Sequence, residues 1–146
     1  MDSVEKQKII QFIDWNMLPE NKTYKYDFFK DNCATRIRDV LDKHISGIQW
    51  NTSLASGKTF REIIKEYQKG MPWTNFGIDL IIGAPADNVT SLSEETFIPD
   101  YLAKAVSHAK NGDFSNSLQV SENDVLTFEK PLDKFNFLLS PWFLFS

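Results

Sequence analysis

Residues 31 to 39 read Asp31-Asn32-Cys33-Ala34-Thr35-Arg36-Ile37-Arg38-Asp39, and Cys33 is the single cysteine of the chain. Asp31 or Asn32 can cap a helix that begins at the cysteine, because a short polar side chain accepts hydrogen bonds from the free N–H groups of a first turn. Beyond it Cys33, Ile37, Val40, Leu41 and His44 recur along one face. That spacing predicts an amphipathic helix to about His44, with the stripe and the thiol turned toward packing partners. Arg36, Arg38 and Asp39 fall off the stripe. A thiol in a first turn meets the positive end of the aligned peptide dipoles, which favours the thiolate, the nucleophilic form. One cysteine excludes an internal disulfide and a multi-thiolate metal site, so reactivity and packing are the two explanations left for it.

Upstream, residues 3–18 carry Ile9, Ile10, Ile13 and Met17 at helical spacing and stop before Pro19. Tyr24, Tyr26 and Phe28 alternate with Lys25 and Asp27, a short extended lead into the cysteine. Downstream, Gly47 and the polar residues Asn51 to Lys58 form a loop. Thr59 with Glu62 has the form of a capping box, opening a helix that ends near Gly70. The segment Trp73 to Ile82, with Phe76, Ile78, Leu80, Ile81 and Ile82, reads as too apolar for solvent. Pro99 suits the first turn of a helix with Leu102, Ala105, Val106 and Ala109 inward, ending by Gly112. Leu118 to Val120 and Val125 to Phe128 read as a small C-terminal hairpin.

The pattern is α+β and helix-rich, with one domain over residues 1–134 and an apolar tail over 135–146. The tail, with four Phe, a Trp and three Leu, either folds back or approaches a bilayer. It is expected to pack loosely or project, and it is too short for the ~20 residues of a membrane span. Of the 146 residues 42% are hydrophobic and 25% charged, as in ordinary globular domains. A net charge of −4 gives no attraction to nucleic acid or to anionic lipid. No basic stretch followed by an apolar one opens the chain, so no export signal is expected in it.

A cysteine nucleophile needs a base, usually histidine, within hydrogen-bond reach. His44 lies eleven residues along the same predicted helix, roughly 16 Å away at ~1.5 Å per residue. His108 sits at the edge of its own apolar stripe, facing solvent. The chain thus offers a nucleophile without a base. Asp79 stands in an otherwise apolar run, and an unpaired buried carboxylate is costly, so it is expected to pair with an arginine, Arg36 or Arg38, or to cap a helix end. Turn or cap roles suffice for Asp27 and Asp31. No phosphate-binding Gly loop, His-x-x-x-His pair or Gly-x-Ser-x-Gly elbow occurs, so no cofactor and no metal are expected.

The run Tyr24-Lys-Tyr-Asp-Phe-Phe-Lys-Asp-Asn-Cys-Ala-Thr-Arg-Ile-Arg-Asp39 resembles the Lnb N-terminal periplasmic domain family of bacterial envelope proteins, best represented in Bacteroidota. Phe60-Arg61, Pro72-Trp73, Gly77-Ile-Asp-Leu80 with Gly83, and Phe97-Ile-Pro99 fall in the order that family shows, so the resemblance spans about residues 5 to 110. It implies the cysteine-bearing half of a permuted papain-like domain, akin to NlpC-type and lecithin:retinol acyltransferase-type enzymes. It also implies a lipoprotein N-acyltransferase with a phospholipid acyl donor and a lipoprotein acceptor, on the periplasmic face of the envelope and near the membrane. By position Cys33 matches the catalytic cysteine and Asn32 the residue before it; Asp31, Arg36 and Asp79 are taken as supporting residues. The family's histidine lies in an upstream Gly-His-Thr motif that this sequence lacks, so the isolated chain is expected to be inactive unless a partner chain supplies the imidazole. Two rivals stand beside this reading: a peptidase or amidase acting on peptide or cell-wall amides, and a non-catalytic remnant that binds lipid or a partner.

Overall fold

Helix starts are written into this sequence as reciprocal capping boxes, in which a side chain takes the third N–H of the helix and the third side chain returns the bond. Asp2 with Glu5 opens α1 (Ser3–Asn16), Asn32 with Thr35 opens α2 (Cys33–His44), and Thr59 with Glu62 opens α3 (Phe60–Glu66). α4 (Pro72–Ile82) begins instead on a proline, whose missing N–H is no loss in a first turn. Ser91 with Glu94 opens the short α5 (Leu92–Glu95), and α6 (Pro99–Ser107) again begins on a proline. The computed structural model describes residues 2–112, 117–119, 121–123, 125–126 and 140–144. It completes the described elements with β1 (Ile48–Gln49), β2 (Lys110–Asn111) and α7 (Pro141–Leu144). The architecture is helix-rich, with a two-stranded antiparallel sheet.

The chain divides into two compact units, residues 1–55 with 91–122 and residues 56–90 with 123–146. In the first, α2 packs against α1 and α6, over a core of Ala34, Ile45, Phe97, Leu102, Ala105 and Ala109. Glu5, 5% exposed, ties α1 down, one carboxylate oxygen accepting from the Asp2 N–H and the other from the Ser46 N–H. β1 and β2 pair with Ile48 opposite Asn111 and Gln49 opposite Lys110. Just beyond the pair the Gly112 N–H donates to the Gly47 carbonyl at 2.8 Å. A Cβ at Gly112 would stand 2.7 Å from that oxygen, so the approach requires glycine. In the second unit Phe60, Ile63 and Ile64 of α3 are buried, as are Ala86 and Thr90. Thr90 donates twice to the Lys58 carbonyl, and α7 packs on α4.

Several expectations from sequence change here. The buried face of α2 is Ala34 and Thr35, while Cys33 and Ile37 are exposed. Neighbours on a helix differ by about 100°, and the bonds that fix Asn32 turn Ala34 and Thr35 inward and the thiol outward. In α1 the half-buried positions are Ile9, Phe12 and Asn16, whereas Ile10, Ile13 and Met17 face solvent. α4 buries no residue completely, and its Leu80 and Ile81 are 71% and 83% exposed. α3 stops at Glu66 rather than Gly70, and α6 stops at Ser107, so that residues 110–111 leave the predicted helix to form β2. Of the predicted hairpin, residues 120, 124, 127 and 128 lie outside the described residues; Leu118 donates to the Ala109 carbonyl at 2.9 Å. Residues 135–139 and 145–146 of the tail also lie outside them; in its described part Ser140 and Pro141 are buried and Phe143 is 47% exposed.

Candidate functional site

Asn32 builds the start of α2. Its backbone is extended and its side chain, 3% exposed, uses every hydrogen-bonding capacity it has. Oδ1 accepts from the N–H groups of Ala34 (2.8 Å) and Thr35 (3.0 Å). Nδ2 donates to the carbonyls of Phe28 and Phe97, both at 2.9 Å. The Thr35 hydroxyl closes the box, accepting from the Asn32 N–H and donating to the Asn32 carbonyl. One amide therefore joins the chain before the cysteine, the first turn of α2 and the segment that leads into α6. The Phe28, Phe29 and Phe97 rings pack edge to face around it, with centroids 5.2–5.8 Å apart.

Cys33 is the first residue of α2 and is exposed. Its sulfur side opens on an apolar trough of about 510 Å³, lined by Ile37 and Leu41 from α2 and Leu102 and Val106 from α6, with Gln119 and Glu122 at its polar margin. Asn32 takes the N–H groups of Ala34 and Thr35, and the Asn32 carbonyl takes that of Arg36. Among the described residues the Cys33 N–H is the first-turn amide left without an acceptor, available to an oxygen that develops charge beside the sulfur.

Asp31 and Arg36 flank the thiol as a bidentate ion pair, Nε–Oδ1 2.8 Å and Nη2–Oδ2 3.3 Å. The hydrogen bonds that Arg36 donates to the Asp31 carboxylate raise its pKa, and the guanidinium lies 3.5 Å over the Tyr24 ring. Asp31 also exchanges backbone bonds with Asp27, whose carboxylate holds the N–H groups of Phe29 and Lys30 in a turn. Asp31 is thus a brace for the lead-in, and Asn32 alone is the cap. Arg38 pairs with Asp39 and donates to the Ser93 carbonyl and the Thr96 hydroxyl.

Asp79 does not join this group. It belongs to the other unit and pairs there with Arg61 at 2.7 Å and Lys65 at 3.1 Å, rather than with Arg36 or Arg38. Partial desolvation raises its pKa, but the hydrogen bonds from those two cations outweigh it and hold the carboxyl below its ordinary range. The signal was present in sequence: Arg61 and Lys65 stand four apart on one face of α3.

His44 stands at the far end of α2 from the thiol, as the helix arithmetic requires. His44 ends α2 with its ring 5.3 Å from that of Phe12 and its Nε2 buried without a hydrogen-bond partner. His108 follows α6, its Nδ1 beside the Ser107 hydroxyl and the Lys104 carbonyl. Neither lines the trough. The apolar stripe of α2 is shared between that trough and a second groove, of about 620 Å³, where Ile37, Val40, Leu41 and His44 face Ile9, Phe12 and Ile13 of α1. Among the described residues no three His, Cys, Asp or Glu side chains are placed to hold a metal.

A polar clamp of neutral groups, an outward thiol and an apolar trough follow one another in the segment that the resemblance singled out. Residues 1–69 match the Lnb N-terminal periplasmic domain family. No curated protein and no solved structure matches the chain. The Lnb match takes in α1, the Asn32 clamp, Cys33 and α3, while Pro72-Trp73, Asp79, Gly83 and Phe97 lie beyond it. The Lnb description is of a periplasmic domain, and among the described residues no helix is long and apolar enough to cross a membrane.

Proposed function

We propose that this chain carries the thiol side of a cell-envelope cysteine acyltransferase, which moves an acyl group from a phospholipid ester to the amino terminus of a lipoprotein. The observation that carries the reading is the exposed Cys33 beside a trough whose walls are aliphatic: an alkyl chain laid along Ile37, Leu41, Leu102 and Val106 brings its ester to the sulfur. The match over residues 1–69 supports it. Apolar walls favour an acyl donor over a peptide, whose backbone amides would be left unpaired there.

The chemistry divides into two transfers. Cys33 gives its proton to an imidazole, and the sulfur attacks the ester carbonyl; the Cys33 N–H donates to the oxyanion. The tetrahedral centre collapses to a thioester, and the imidazolium returns the proton to the departing lysolipid alkoxide. The acceptor amine then attacks the thioester, loses a proton through the imidazole and leaves as an amide, restoring the thiol. Because neither His44 nor His108 lines the trough beside Cys33, the imidazole in this reading comes from elsewhere in a longer protein or from a partner chain.

Intact mass after incubation with phosphatidylethanolamine tests the reading. We expect no more than trace acylation of the chain alone, and a hydroxylamine-labile acyl adduct on Cys33 when a histidine-bearing strand of the family is joined upstream. An adduct that forms only with peptide esters would favour the peptidase or amidase alternative. Absence of any adduct in the joined protein would favour a non-catalytic lipid-binding role.

A further inference from the structure

We propose that Glu122 receives the ammonium of the acyl acceptor at the margin of the Cys33 trough, an inference that rests on the acyltransferase reading above. Among the described residues that line the trough Glu122 carries the one charge, and that charge is negative. Half-buried Gln119 donates from Nε2 to Glu122 Oε2 at 2.7 Å. The bond holds one carboxylate oxygen and leaves Oε1 to a donor from outside. Among the described residues no lysine or arginine pairs with Glu122. Asp31, which flanks the thiol, is matched by Arg36 in two bonds. The unmatched charge of the site is therefore that of Glu122, and it selects a cation.

The second transfer brings an amine to a thioester. An α-amino group, with a pKa of ~8, arrives at neutral pH mostly as ammonium, which has donors and no acceptor. The trough offers it one anion, while the alkyl chain already on the sulfur takes the aliphatic walls. Docked on Glu122, the ammonium gives one proton to the imidazole of the reaction. Its nitrogen then bonds the acyl carbon, the carbon–sulfur bond breaks, and the sulfur takes the second proton from nitrogen. Glu122 thus binds the amine and is not the base. Its side chain is exposed, and ion pairs in water are weak, so the expected effects are several-fold and no larger.

Two measurements on the full chain test it, and neither needs the donor half of the reaction. The first compares cationic and anionic methanethiosulfonates at Cys33. The cationic reagent should react about threefold or more faster at low ionic strength, and ~1 M salt should erase the difference. Glu122→Gln should remove it and leave the rate with a neutral methanethiosulfonate unchanged, whereas Glu122→Asp should keep part of it. The second loads Cys33 with a hexanoyl group from a hexanoyl arylthioester, the sulfur taking the acyl group and the aryl thiolate leaving. Glycinamide should clear that thioester about threefold more slowly from Glu122→Gln, while hydroxylamine, uncharged at neutral pH, should clear both alike. Circular dichroism and the melting midpoint check the fold of each variant. Wild-type alkylation that ignores reagent charge, or glycinamide cleavage unchanged in Glu122→Gln, would overturn the proposal. So would hydroxylamine cleavage slowed to the same degree, since Glu122 would then govern access and not charge. If both measurements come out as expected while the histidine-joined protein takes no acyl group from phospholipid, the fault lies with the donor assignment and not with Glu122.

Discussion

At the start of α2, unpaired backbone groups are met by one neutral amide that is 3% exposed; at the end of α4 they are met by a guanidinium tied to two carboxylates near the surface. Asn32 satisfies two N–H groups and two carbonyls from three stretches of chain. Arg61 donates to the carbonyls of Asp79 and Gly83 and to the carboxylates of Asp79 and Asp87. Both side chains close a helix end, but water can replace only the second. A buried amide lost leaves its partners dry, while exposed ions lost are re-solvated.

The largest break should come from Asn32→Ala, which strands two N–H groups and two carbonyls in the interior. About 2–4 kcal/mol of stability is expected to go, read by urea or thermal unfolding. A loss under ~1 kcal/mol would reduce the clamp to an ordinary cap. Asn32→Asp sharpens the point, because a carboxylate still accepts from Ala34 and Thr35 but cannot donate to Phe28 and Phe97. We expect about 1–3 kcal/mol with helix content retained. Wild-type stability in that variant would show the two carbonyl bonds to be dispensable.

Arg61→Met should lower the melting midpoint less than either change at Asn32, and it should alter the acid limb. The hydrogen bonds from Arg61 hold Asp87 below the ordinary carboxylate range, and with Lys65 they do so for Asp79 against its partial desolvation. Folded-state values below the unfolded ones mean stability that is present above about pH 4 and lost as pH falls through the folded values. Removing Arg61 should therefore flatten stability against pH below about 4, and an unchanged acid limb would count against the network. The smallest effect belongs to Asp87→Asn, since Asp87 is 58% exposed: a slight fall in midpoint that 1 M salt largely erases.

The sequence alone determined what depends on neighbours within a few positions. Capping boxes such as Thr59 with Glu62, the prolines at Pro72 and Pro99, and the Asn-Cys pair at a helix start are local hydrogen-bond and φ constraints, legible without the fold. The separation of His44 from Cys33 followed from helix rise in the same way. Tertiary structure decided which side of each helix faces inward. In α2 the apolar stripe suggested a buried thiol, but the carbonyl of Phe97, sixty-five residues on, fixes Asn32 and so turns Ala34 and Thr35 into the core. In α4 eight of eleven residues gave an apolar reading on all sides, and only the approach of Arg61 and Lys65 set Asp79 inward and Leu80 outward. Residues 110–111 read as the end of a helix until Ile48 and Gln49 supplied a strand partner and Gly47 a carbonyl for Gly112. A periodic pattern fixes the element, but its rotation is set by hydrogen bonds and ion pairs from distant positions, which no local window contains.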